Sequence, residues 1–127
     1  MKDCSPESRM MGLLSTAERY LEQGSLPAAL RHLRRAHALD PTHHTAAIAL
    51  TDTLLQSEAP DEACTVLEDT LAADAEFIVG RLMLAKLLAA FNRADEARTH
   101  IEALSQRTGL PQNIRAEIDA LQGKLAQ

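Results

Sequence analysis

The sequence repeats itself every 34 residues, and that periodicity leaves few folds open to it. The shift superposes Ala29 on Ala63 and Ala97, Leu33 on Leu67 and Ile101, Tyr20 on Leu54 and Leu88, and Ala17 on Thr51 and Ala85. Leu50 falls on Leu84, and Asp61-Glu62-Ala63 falls on Asp95-Glu96-Ala97. Matched slots keep volume as well as polarity. That is the mark of a supersecondary unit that cannot bury its apolar face alone and stacks on its neighbour. The repeats run over 10–43, 44–77 and 78–111, between a lead-in at 1–9, expected to fray, and a final segment at 112–127.

Within each repeat the apolar spacing has helical period and breaks once near the middle, which predicts two antiparallel helices joined by a tight turn. Gly24 is placed to end a helix in the left-handed conformation, Ser25 to cap the next helix, and Pro27 to sit in its first turn, where a missing N–H costs little. Asp40-Pro41 closes that helix. In the second repeat Pro60, Asp61 and Glu62 open the second helix, with acids where the helix dipole favours them. Asn92 and Asp95-Glu96 mark the equivalent turn in the third.

Composition agrees with an all-α chain. Its 127 residues are the length of one domain able to bury a core, and aromatics make up only 2%: Tyr20, Phe77 and Phe91. A β-sandwich and a base-stacking surface both need more. The formal net charge of −5 is the opposite of the footprint that grips phosphate backbones, so no nucleic-acid partner is expected. The start, Met1-Lys2-Asp3-Cys4, opens no apolar run of signal-peptide length, and nowhere are there about 18 consecutive apolar residues, which predicts a cytoplasmic chain with no membrane span. Cys4 and Cys64 have neither zinc nor redox spacing, and are expected as two separate reduced thiols.

The residues of the first repeat, Tyr20-x3-Gly24-x4-Ala29-x3-Leu33-x2-Ala36-x3-Asp40-Pro41, together with the period, resemble the tetratricopeptide repeat family. The likeness covers residues 10–111 and departs from the pattern at several points. No Trp stands at the first signature slot, the small slot usually held by Gly carries Ala17, Thr51 and Ala85, and the closing Asp-Pro becomes Asp74-Ala75 in the second repeat. The resemblance implies an α-solenoid of three antiparallel helix pairs, wound as a right-handed superhelix. Small side chains at Ala17, Ala29, Ala36, Thr51, Ala63 and Ala85 would let helix axes approach closely. After Gly109 and Pro111 comes a seventh helix whose stripe Ile114, Ile118, Leu121 and Leu125 lies on one face. It is expected to cap the apolar end of the array, the alternative being an arm that detaches or pairs with a second protomer.

No set of nucleophile, base and electrostatic stabiliser emerges, and no Gly-rich phosphate loop, so no enzyme, cofactor or metal is expected. The five histidines read as solvated or capping groups. His32 and His100 share a slot but lie 68 residues apart. Arg34 with Glu68, and Arg35 with Asp69, are one period apart and are expected to pair across neighbouring second helices.

What the resemblance adds is a groove lined by the first helix of each repeat. Periodicity maps that face to Met11, Leu14, Ser15, Glu18 and Leu21, then Thr45, Ile48, Ala49, Asp52 and Leu55, then Val79, Leu82, Met83, Lys86 and Ala89. Leu14, Ile48 and Leu82 form one column; Glu18, Asp52 and Lys86 form the next. An apolar groove with a charged rail suits an amphipathic helix or an extended peptide. The expected function is a non-catalytic protein-interaction module, acting as adaptor, scaffold or secretion-type chaperone. The Lys, Arg and Asn set with which some family members hold the carboxylate tail of heat-shock chaperones is absent. The alternatives are a self-assembly subunit, such as a homodimer, whose groove another protomer fills, and a groove whose apolar residues are buried by the chain's own N-terminal segment or terminal helix.

Overall fold

The computed structural model describes residues 5–126, so the expectation for Cys4 lies outside the described residues. Among these are seven α-helices and no strand: α1 (Pro6–Glu22), α2 (Leu26–Leu39), α3 (His44–Gln56), α4 (Pro60–Ala73), α5 (Ile78–Ala90), α6 (Ala94–Ser105) and α7 (Gln112–Leu125). Contacts in repeat arrays run between neighbours, and here they gather into two compact units, one ending at Asp74 and one beginning at Ala75.

The turns inside the three pairs share one geometry. Gly24, Glu58 and Asn92, each 34 residues from the next, have φ of 77°, 60° and 63°. In each case the following N–H reaches back to close the preceding helix: Ser25 to Tyr20 O at 2.8 Å, Ala59 to Leu54 O at 2.9 Å, and Arg93 to Leu88 O at 2.8 Å. These are left-handed helix caps that satisfy orphan carbonyls. Ser25, expected to cap α2, flanks it without a side-chain cap bond. His43 caps instead, its Nδ1 accepting from Ala46 N–H at 3.1 Å at the start of α3.

The lead-in needs correcting. Residues 6–9 were expected to fray, yet they form the first turn of α1, because Ser5 Oγ accepts from Ser8 N–H at 3.2 Å, Pro6 stands where its missing N–H is harmless, and Glu7 complements the dipole.

In the first unit Ala17, Ala29, Ala36 and Ala63 are fully buried, and Leu33, Leu50, Leu54 and Leu67 fill the space between the helices. One cluster joins Met10, Leu13 and Leu14 of α1 to Ala36 and Leu39 of α2 and Ala46 of α3. In the second unit Ile118 and Leu121 of α7 pack against Leu82, Ala85, Ile101 and Leu104, with Ile114 and Leu125 at the margin. Phe77, immediately before α5, is buried against Gly80, where a Cβ would overlap its ring.

Candidate functional site

In the first unit Met11, Leu14, Glu18 and Leu21 follow one stripe of α1, and Ile48, Asp52 and Leu55 follow the matching stripe of α3. Met11 is 65% exposed. Leu14, Leu21, Ile48 and Leu55 are half-buried, with Leu14 resting on the cluster that holds Met10, Ala36 and Ala46. Glu18 and Asp52 are exposed. Each of the two helices thus carries half-buried apolar side chains beside an exposed carboxylate.

The second unit treats its share differently. Leu82 is only 3% exposed, because Ile118 and Leu121 of α7 cover it. It is core, not groove lining, and the expectation for it is corrected. Periodicity shows which side of α5 carries apolar residues but not that α7 would lie on it. Met83 is half-buried, and Lys86 is exposed but tied to Glu117 Oε2 of α7 at 2.6 Å. Between α5 and α7 lies a cleft of about 580 Å³ with a floor of Ala89, Ala90, Ala120, Leu121 and Leu125, and with Lys86, Glu117 and Lys124 on its rim. Sequence reasoning missed this cleft by reading the outer face of α7 as merely polar. The small Ala120, set between Glu117 and Lys124, was the available signal.

Electrostatic contacts cluster away from these stripes of α1 and α3. The Arg34 guanidinium binds both oxygens of Glu62, at 2.8 and 2.9 Å, which holds the Glu62 carboxyl below its usual range and raises the guanidinium further. The expected Arg34–Glu68 pair is therefore replaced. Long helical side chains lean toward their own N-terminus, so Arg34 meets the first turn of α4 and not its middle. Asp69, expected opposite Arg35, has His37 Nε2 at 3.9 Å. Asp40 accepts from the Thr42 hydroxyl at 2.6 Å and from the Thr42 N–H at 3.0 Å, which lowers its carboxyl. His32 donates from Nδ1 to Ala28 O at 2.9 Å beside the Tyr20 ring, and His44 pairs with Asp74 at 2.7 Å. Among the described residues no three His, Cys, Asp or Glu side chains are grouped to hold a metal, and no helix is long and apolar enough to cross a membrane.

Two tetratricopeptide repeat models match the chain, one over residues 20–78 and one over 78–103. No curated protein sequence matches it significantly. Among solved structures it is similar to the tetratricopeptide repeat domain of P58(IPK), at 20% identity and a TM-score of 0.75, over 92% of this chain and 32% of that one. It is also similar to the type III secretion chaperone SycD of Yersinia enterocolitica in complex with a peptide of the translocator YopD, at 15% identity and a TM-score of 0.73, over 97% of this chain and 98% of that one. The first tetratricopeptide domain of Spaghetti (RPAP3), bound to the HSP90 peptide SRMEEVD, is 13% identical with a TM-score of 0.73, over 94% of this chain and 98% of that one. The chain thus spans about a third of the P58(IPK) structure and nearly all of the other two. Identities this low speak for fold alone: an all-α solenoid of helix pairs. With the repeat matches running from residue 20 to 103, across helix pairs that turn at the same slot each time, the chain belongs to the tetratricopeptide repeat family.

Proposed function

We propose that the chain is a non-catalytic protein-interaction module that holds an amphipathic helix or an extended peptide against the first helices of its repeats. Its role on this reading is that of a cytoplasmic adaptor, scaffold or secretion-type chaperone. The observation that carries the proposal is the strip of the first unit. Leu14, Leu21, Ile48 and Leu55 keep a part of their surface exposed after folding, with Met11 largely exposed, and a partner's apolar side chains would remove that surface from water. Similar structures seen with peptides, those of SycD and RPAP3, support the same use of the fold. Leu14, Ile48 and Leu55 would bury the partner, and Glu18 and Asp52 would set its register.

The test is capture of partners from the source organism's lysate by the wild type and by Met11→Glu/Ile48→Glu, with helicity checked for both and each retained protein then bound directly as a purified component. Retention by the wild type and loss by the folded variant is the expected result. Equal retention moves the site elsewhere. Self-association of the wild type alone, lost in the variant, makes a second copy the occupant.

A further inference from the structure

Beside the apolar side chains of α1 and α3 in the first unit stand the carboxylates Glu18 and Asp52. The carboxylates stay uncompensated. Glu18 and Asp52 are exposed and make no ion pair or hydrogen bond among the described residues, and the same holds for Glu22, one turn beyond Glu18 on α1. α3 contains no Lys or Arg. Of the two arginines in α1, Arg9 is about 180° round the helix from Glu18 and Arg19 about 100°, at about 100° per residue, although Arg19, three residues before Glu22, is only about 60° from it. Half-buried Leu14 and Leu21 lie beside Glu18 on α1, and half-buried Ile48 and Leu55 beside Asp52 on α3.

We infer that the segment seated on the α1–α3 strip of the first unit is cationic, carrying Lys or Arg beside its apolar side chains. This rests on the strip being a protein-binding surface, and it names the partner's chemistry. An acidic segment would meet like charge along its whole length, whereas a basic one places its cations against Glu18, Glu22 and Asp52 and is steered to the strip before contact. Such steering weakens as salt screens the exposed charges.

Fluorescence anisotropy on the full chain tests this with two labelled helical peptides. Each has the same Leu face, flanked by Lys in one peptide and by Glu in the other. The Lys peptide is expected to bind at least about tenfold more tightly, to weaken as salt rises, and to lose roughly tenfold on Glu18→Gln/Glu22→Gln/Asp52→Asn. Asp61→Asn/Glu68→Gln/Asp119→Asn removes equal charge from exposed positions off the strip and is expected to leave binding nearly unchanged. An equal loss in that control reduces the effect to net charge and overturns the inference. Equal binding of the Glu peptide also overturns it, and if Met11→Glu/Ile48→Glu weakens both peptides, the interaction module survives while its cationic partner does not. Failure of both peptides to bind overturns the inference too, leaving the module to stand or fall by captured clients.

Discussion

Arg98 and Arg115 cap each other's helices. Arg115, in the first turn of α7, donates at 3.1 Å to the O of Ser105, the last residue of α6, and to Arg107 O in the loop just beyond it. Arg98, early in α6, donates from Nε and Nη2 to Leu125 O at 3.3 and 2.9 Å, at the end of α7. The last carbonyls of a helix have no partner within it and carry its negative pole, so each guanidinium serves a site that both hydrogen bonding and the dipole favour. Together with buried Ile118 these bonds fix both ends of α7 on α6.

Arg115→Ala is accordingly expected to cost about 1–2 kcal/mol, since it strips charge-assisted bonds from part-buried carbonyls. Arg98→Ala, at a more exposed pair, should cost less than about 1 kcal/mol. Urea unfolding of both variants checks the order, and hydrogen exchange should show the loosening concentrated at the end of α6 for Arg115→Ala and at the end of α7 for Arg98→Ala.

Glu58 occupies the left-handed slot that Gly24 and Asn92 fill in the other repeats. A side chain there strains the backbone by about 1 kcal/mol, and Gly relieves it. Glu58→Gly should therefore stabilise the chain by roughly 0.5–1 kcal/mol, read as a higher urea midpoint at unchanged slope.

Gly80→Ala is expected to destabilise by about 1–3 kcal/mol, because the new methyl overlaps the buried Phe77 ring. In the background of Phe77→Ala, itself costly by about 3–5 kcal/mol, the same change should cost almost nothing, and a thermal double-mutant cycle measures the difference.

The Arg34–Glu62 pair gives a pH signature. Glu62 titrates below the ordinary carboxylate value of 4.5 in the folded chain because Arg34 hydrogen-bonds it. Its contribution is thus complete above that value and is lost as pH falls through the depressed one. Both groups are substantially exposed, which limits the effect to under about 1 kcal/mol. The stability difference between wild type and Glu62→Gln should therefore be small near neutrality and vanish in acid.

Much of the fold could be read from the sequence, because stacking imposes size at fixed slots. Ala17, Ala29 and Ala63 are small where helices touch, and Gly24 and Asn92 announce the turns they make. Glu58 announces nothing, since Glu carries no preference for the left-handed region, and only its place one period from Gly24 points to it. The candidate site was less legible. Helical spacing sets Leu14 and Leu21 on one face of α1 and Ile48 and Leu55 on one face of α3, but periodicity within a helix does not say what covers a face, and so Leu82 was placed in the groove when α7 buries it. The partners of Arg34, Arg98 and Arg115 depend on register between helices, which no spacing within one helix encodes.

The most direct test of the interaction surface is amide NMR of the labelled full chain titrated with a purified client. Shifts concentrated along α1 and α3, between Met11 and Leu21 and between Ile48 and Leu55, are the expected result. Shifts confined to the α5–α7 cleft, or to the outer helices α2 and α4, would contradict the strip of the first unit as the binding site.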